Sequence, residues 1–197
     1  VFHEGKIRHL GTIPYGGNAV TSDLVQGLGI TNHDAEQIKE AYGCAYEPMV
    51  DSEQVIAMPA SASHGERHIS RELMTHIIHQ RMDEIFDKVQ REVQTAGFAG
   101  RLNAGLVLTG GGASLEGVSE LAADVFGLGV RVGVPGDSVG GLVEQIAEPR
   151  FATAVGLALY GAHRVALGGV IARRPSLTGA GVDKLATRVK TWLQDWF

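Results

Sequence analysis

The sequence is poor in several things, and each shortage excludes a class of protein. One cysteine, Cys44, stands among 197 residues, so there is no internal disulfide framework and the chain suits a reducing compartment. No apolar run approaches the ~20 residues that cross a bilayer as a helix, and the opening residues do not resemble a secretory signal. Basic residues are outnumbered, with Lys+Arg 17 against Asp+Glu 22 and a net charge of -5. That balance argues against a dedicated nucleic-acid binder, which carries a basic footprint. No internal repeat, H-E-x-x-H zinc pattern, Gly-Lys-Ser/Thr phosphate loop or nucleophile elbow occurs. The first residue is Val1 where a translated chain starts with Met, which leads to the expectation of a fragment or a processed chain.

What is present reads as a globular α/β chain. Hydrophobic residues make up 44% and charged residues 20%, near globular averages. The stretch His3-Glu4-Gly5-Lys6 is turn-like between Val1–Phe2 and Ile7–Leu10. Asn18, Thr21 and Ser22 are expected caps of a helix reaching about Leu28, and Thr31 to Asp34 open a second helix that Gly43 stops. Val50, Val55 and Ile56 suit short strands, and Pro59 to Gly65 a loop. The strongest helix is Ser70 to Ala96, with a stripe of Leu73, Ile77, Met82, Ile85, Phe86, Val89 and Val93 ending at Gly97. A strand at Gly105–Thr109 runs into Gly110-Gly111-Gly112, followed by a helix from about Leu115 to Phe126. Val130 to Val134 suits another strand, and Arg150 to Val165 a helix that buries small residues. Strands alternating with helices imply an α/β fold.

Four groups could carry chemistry. Gly110, Gly111 and Gly112 let a backbone approach a ligand without a Cβ clash, and a following helix dipole favours an anion. A tight strand-to-helix turn that binds nothing explains the same glycines. Glu36 and Lys39 share one helix face at i, i+3, as a binding pair or an ordinary solvated ion pair. His64, His68, His76 and His79 lack the carboxylate or thiolate shell of a zinc site and read as surface histidines. Cys44 reads as a small buried hydrophobe.

The end of the chain has a different character. Residues 166–181 lack an apolar period and read as a flexible linker. Beyond them Val182, Leu185, Val189, Trp192, Leu193, Trp196 and Phe197 fall on one helical arc of about 140°. A tryptophan-bearing apolar face suits the lipid headgroup boundary. Docking on its own domain or on a partner is the other reading.

Taken in order, these motifs resemble the C-terminal half of the FtsA family of bacterial cell-division proteins, in the actin/Hsp70-like superfamily. Ile13 to Asp23 is similar to the family's segment after its second phosphate hairpin, Asp34 to Lys39 with Tyr42-Gly43-Cys44-Ala45 to the helix at the base of subdomain 2B, and Leu108 to Ala113 to the adenosine motif. Glu148-Pro149-Arg150-Phe151 with Thr153 to Leu157 resembles its late helix, and the tail its membrane-targeting sequence.

The resemblance implies a partial actin-like ATPase (ribonuclease H-like) fold. Its subdomain 2A would take residues 1–30 and 101–165 and its subdomain 2B residues 31–100, before the linker and the amphipathic helix, 182–197. It implies ATP as ligand, with Mg²⁺ in the full-length protein, held by Gly16, Gly17, Asn18, Glu36, Lys39, Gly110, Gly111 and Gly112. It implies that Arg81 and Glu84 receive the C-terminal tail of the tubulin-like protein FtsZ, although His79-Gln80 stands where the family usually has Glu-Pro. It further implies self-association into actin-like polymers, contact with other division proteins and with membrane lipids, and a place on the cytoplasmic face of the inner membrane at the septum. The catalytic loops of the family lie upstream of these motifs, so this stretch is not expected to be an enzyme alone, and the full-length protein is expected to be at most a weak ATPase. A small-molecule kinase and a soluble polymer-forming protein of the same superfamily are the alternatives.

Overall fold

The computed structural model describes residues 1–58, 65–136 and 146–166. The chain divides into two compact units, Val1–Gly156 and Leu157–Phe197. The expected linker and amphipathic helix lie outside the described residues, except that Ala166 closes a helix.

The first unit opens with a hairpin of β1 (Phe2–His3) and β2 (Lys6–Ile7). Glu4 and Gly5 sit at φ 54° and 71°, the two left-handed residues that a tight hairpin turn needs. Helix α1 spans Gly17–Leu28. Its cap is Gly16, without a side-chain hydrogen bond, so the expected caps are corrected. Thr21 and Ser22 lie inside the helix, where the Ser22 hydroxyl donates back to the Asn18 carbonyl at 3.0 Å and Thr21 Oγ1 lies 3.0 Å from the Gly17 carbonyl oxygen.

Helix α2 spans Asn32–Tyr42. Thr31 caps it: its hydroxyl oxygen accepts from the Asp34 N–H at 3.2 Å and donates to the Asp34 carboxylate at 2.7 Å. The acidic residue in the first turn also complements the helix dipole. After a 3-10 turn at Glu47–Met49, strands β3 (Val55–Met58) and β4 (Arg67–Ser70) pair antiparallel, with Ile56 opposite Ile69. Val50 ends the 3-10 turn rather than lying in a strand.

Helix α3 runs from Arg71 to Thr95, capped by Ser70 accepting from the Leu73 N–H. Its length is about 37 Å at 1.5 Å per residue. The buried stripe is Met74, Thr75, Ile78, Met82, Ile85 and Phe86. Leu73 is 48% exposed; the expected stripe is one residue out of register at its N-terminal end, where Met74 and Ile78 sit in the shared core and Ile77 is only partly buried against it. The Thr75 hydroxyl is buried without a partner among the described residues.

The remaining elements form a β–α–β unit. β5 (Leu106–Leu108) and β6 (Val130–Val132) pair parallel, joined by α4 (Val118–Phe126). Gly105 is required here: its φ is +81°, and a Cβ would fall 2.2 Å from the Gly129 carbonyl oxygen. Helix α5 spans Ala152–Ala166 after a 3-10 turn at Pro149–Phe151. It has no buried residue among those described, which corrects the expectation of a helix burying small residues.

One core joins α1, α2, the β3–β4 hairpin, α3 and α4. Val20, Leu24, Met74 and Ile78 are at its centre, each at most 1% exposed. Burying a side chain of this kind contributes about 2 kcal/mol. Along α3, one side faces α1, where a Cβ on Gly27 would meet the Ile77 side chain at 2.6 Å. Another side faces α4, where Phe86 and Phe126 meet edge-to-face at 6.0 Å. Cys44 is fully buried in the first unit, and removal from water pushes its thiol pKa up, as expected of a small hydrophobe.

Candidate functional site

The start of α1, the inner face of α2, the glycine turn after β5 and the Pro149–Phe151 turn surround a cleft of ≈ 590 Å³. Local chemistry brings them together. Gly43 ends α2, and any side chain there would strike the Lys39 carbonyl oxygen at 2.3 Å. The chain then extends so that Cys44 forms a parallel bridge with Glu116 and the Ala45 N–H donates to the Glu116 carbonyl at 2.7 Å. Gly117 permits this crossing: its φ is +72°, and a Cβ would meet that of Tyr46 at 2.7 Å. Arg71 braces the same junction, donating to the Glu116 carboxylate at 2.6 Å and the Tyr42 carbonyl at 3.1 Å.

On the α2 side, Lys39 Nζ donates to both Glu36 carboxylate oxygens at 2.7 Å, to Thr21 Oγ1 at 2.8 Å and to the Gly17 carbonyl at 3.4 Å. Thr21 Oγ1 lies 2.5 Å from Glu36 Oε2. The Lys39 ammonium and the Thr21 hydroxyl hold the Glu36 carboxyl below the usual carboxylate range, so it is ionised at neutral pH. The Lys39 side chain is 12% exposed and that of Glu36 39%; the carboxylate meets the cleft while the ammonium is mostly covered.

On the opposite side, Gly110 has φ +88° and donates its N–H to the Pro149 carbonyl at 3.0 Å. Thr109 Oγ1 donates to the Gly133 carbonyl at 2.8 Å. The residues Gly111–Ser114 wind into a 3-10 turn. A Cβ on Gly16, Gly111 or Gly112 would meet nothing within 4 Å, so packing among the described residues does not demand glycine there. The helix expected from about Leu115 starts three residues later: Leu115 is extended and α4 begins at Val118. The bridge to Cys44 takes up the intervening residues, so the α4 dipole is not aimed from the glycine turn.

Of the expected ligand residues, Gly17, Asn18, Glu36, Lys39, Gly111 and Gly112 line the cleft. Gly16 and Gly110 directly precede its walls as the caps of α1 and of the glycine turn. Sequence reasoning missed Ser114, Glu116, Glu148 and Arg150, which also line it. Arg150 pairs with Glu148 at 2.8 Å and lies 5.0 Å from the Phe151 ring centre. The Glu-Pro-Arg-Phe motif was visible, but nothing in its spacing brought it to the glycines.

Arg81 and Glu84 lie on α3. Arg81 grips Asp23 of α1 through two hydrogen bonds, at 2.5 and 3.0 Å, and also pairs with Glu84. Glu84 in turn binds Lys88 at 2.9 Å. Arg81 and Lys88 both stand over the Tyr15 ring, at 5.9 and 5.5 Å from its centre. Arg81 therefore ties α1 to α3 as well as contributing surface charge. His76 pairs with Glu47 at 2.8 Å, and His79 Nδ1 hydrogen-bonds the Ala45 carbonyl at 2.8 Å. No cluster suited to a metal ion occurs among the described residues, and no described helix is long and apolar enough to cross a membrane. The tail residues Val182 to Phe197 lie outside the described residues.

The family model described as cell division protein FtsA matches residues 1–156. Curated proteins named cell division protein FtsA from Pseudomonas aeruginosa, Escherichia coli K12 and Neisseria meningitidis serogroup B are 35%, 34% and 37% identical over 199, 204 and 204 residues. Each alignment covers 100% of this chain and 48% of the relative, so the chain spans about half the length of the curated relatives it matches. Solved structures of MreB5 of Spiroplasma citri, bound to ADP and to AMPPNP, match with TM-scores of 0.55 and 0.54 at 18% identity. They cover 80% of this chain and 48% and 50% of theirs. The likeness is one of fold: the chain carries part of the actin-like fold.

Proposed function

The chain belongs to the FtsA family of cell division proteins, and from that premise we propose that it is the nucleotide-facing and membrane-directed part of a cell-division adaptor. The observation that carries the proposal is the cleft, where Glu36 and Lys39 stand across from Gly111 and Gly112. The ionised Glu36 is an acceptor for the ribose hydroxyls of ATP. The glycine walls, free of Cβ atoms, take the close approach of the adenosine and its phosphates, with Gly16, Gly17 and Asn18 on the α1 side. ATP with Mg²⁺ is the ligand of the full-length protein, and weak ATPase activity is a property of that whole.

The adaptor reading assigns residues 1–30 and 101–165 to subdomain 2A and 31–100 to subdomain 2B, with the tail of FtsZ received on α3 at Arg81 and Glu84. Residues 166–181 act as the linker. Val182, Leu185, Val189, Trp192, Leu193, Trp196 and Phe197 form the face that holds the protein to lipid at the division septum. A single short amphipathic helix binds weakly, so self-association into polymers supplies the avidity.

Equilibrium titration of the full-length protein with ATP tests the cleft. Replacing Glu36 and Lys39 together with Ala is expected to weaken binding at least tenfold, about the effect of one or two charge-assisted hydrogen bonds; unchanged affinity refutes the assignment. Co-sedimentation with anionic liposomes tests the tail: Trp192→Glu with Trp196→Glu is expected to release the protein, and retained binding refutes the anchor.

A further inference from the structure

Thr21 has no ligand role in the functional reading so far, yet its buried hydroxyl meets both Glu36 and Lys39 of the cleft wall. It is 3% exposed, and its hydroxyl meets three partners. It accepts from Lys39 Nζ at 2.8 Å, and it lies 2.5 Å from Glu36 Oε2 and 3.0 Å from the Gly17 carbonyl. A hydroxyl has one proton. With two acceptors in reach, the closer and charged one, Glu36 Oε2, takes the stronger bond.

The consequence falls on Glu36. Oε2 is engaged by both Thr21 and Lys39, whereas Oε1 is engaged by Lys39. A carboxylate offers about four acceptor positions, so free acceptor capacity remains, more of it on Oε1. Glu36 lines the cleft. Lys39 balances its charge, so this wall suits a neutral hydroxyl donor better than an anion. Two hydroxyls on adjacent carbons match such a carboxylate, since each donates one hydrogen bond to it.

We propose that Thr21 is a positioning residue for the ribose: its hydroxyl, delivered from α1 across to α2, holds the Glu36 carboxylate at the angle that reads the 2′- and 3′-hydroxyls of the nucleotide. The proposal rests on the nucleotide reading of the cleft. Helix α2 alone does not set this angle. Glu36 and Lys39 are held to each other by their i, i+3 spacing, but a side chain pair on one helix retains rotamer freedom. A third contact from a second helix removes it. Thr21 lies 15 residues from Glu36 in the chain, so the constraint exists only when α1 and α2 are packed together.

The test compares ATP, 2′-deoxy-ATP and 3′-deoxy-ATP, each with Mg²⁺, by calorimetric titration of the full-length protein and of Thr21→Val and Thr21→Ser. The unmodified protein is expected to prefer ATP over both deoxy forms. Thr21→Val, nearly isosteric but without the hydroxyl, is expected to lose that preference by about tenfold, the effect of one hydrogen bond to a charged group. Its affinity for either deoxy form, which keeps one of the two hydroxyls, is expected to fall less than its affinity for ATP. Thr21→Ser restores the hydroxyl and is expected to restore the preference, which a purely structural role of the side chain does not predict.

If the unmodified protein binds none of the three nucleotides, the nucleotide reading falls and this inference with it. If it binds them with a ribose preference that Thr21→Val keeps, the inference alone is overturned. Thr21→Ala carries the same comparison should the valine variant not fold. If neither folds, the hydroxyl is a requirement of the helix packing and the positioning role is overturned.

Discussion

Two helices of this protein carry an oppositely charged pair at the same spacing, and the two pairs do different work. Glu36 and Lys39 on α2, and Arg81 and Glu84 on α3, are each three residues apart. Around the first pair, the cation is the covered member: Lys39 is 12% exposed, tied to Thr21 and to a backbone carbonyl, while the anion faces a cleft. Around the second, the cation has a further acidic partner on another helix. Arg81 grips Asp23 with both side chains about one-quarter exposed, and Glu84 is left on the outer side with Lys88. One pair presents an acceptor to a cavity; the other closes a seam between α1 and α3. Spacing along a helix says that two charges meet. It says nothing about what they meet next.

The contrast can be broken by exchanging its two halves. Lys39→Met is expected to lower ATP affinity about tenfold through the disturbed Glu36 carboxylate, with a small change in stability. Arg81→Met is expected to do the reverse: ATP affinity stays within about twofold, while unfolding in urea shows a loss of about 1 kcal/mol, the upper end for a pair still partly in water. If both variants lose ATP affinity alike, the seam and the cleft are not separate.

Thr75 sharpens the same comparison from the opposite direction. It lies on α3 with Arg81, fully buried, and its hydroxyl has no partner among the described residues. Thr75→Val is expected to raise stability by about 1 kcal/mol, since a buried unsatisfied hydroxyl is replaced by a methyl of similar shape. A loss of stability in the same urea titration would mean that the hydroxyl is satisfied in solution.

The smallest expected effect is in acid. The Glu36 carboxyl is held below its ordinary range, first by the Lys39 hydrogen bond and then by Thr21. A carboxyl depressed in the folded state binds fewer protons there than in the unfolded chain. Its contribution is present above the ordinary carboxylate range and is lost as pH falls through the folded value. Glu36→Gln is expected to flatten the acid side of the stability profile by a few tenths of a kcal/mol. Glu84 is lowered too, first by Lys88, so Glu84→Gln is the comparison, and equal slopes in the two variants would erase the difference between the sites.

Much of the local structure was legible from residues alone. Thr31 and Gly43 mark the ends of α2, and Ser70 and the left-handed Gly97 flank α3, because caps and helix-ending glycines act within a turn. The buried Cys44 was equally plain. The errors fall where a distant segment intervenes. Thr21 and Ser22 have the chemistry of caps but sit inside α1, where Gly16 makes the entry. The helix expected from about Leu115 starts at Val118, since Glu116 is taken up by the bridge with Cys44. Leu73 belongs to the expected core stripe but lies on the outside, while Met74 and Ile78 are inside, because packing against the shared core of α1, the β3–β4 hairpin and α4 selects the buried face. For the site, the glycine turns and the Glu36–Lys39 pair stand out in the sequence as candidate ligand residues, whereas Glu148 and Arg150 stand out only as part of a family motif and Thr21 only as a helix cap.

By itself the sequence determined that the helices exist, the ends of α2 and α3, the first hairpin, the strand before the glycine turn and the family resemblance, since propensity, period and capping operate over a few residues. Only the tertiary structure decided which charges face a cleft and which close a seam. The contacts that settle this join residues 15 apart, as in Thr21 and Glu36, and 58 apart, as in Asp23 and Arg81. Such contacts form only when packing of the shared core brings whole helices together, and no local pattern encodes the angle at which they meet.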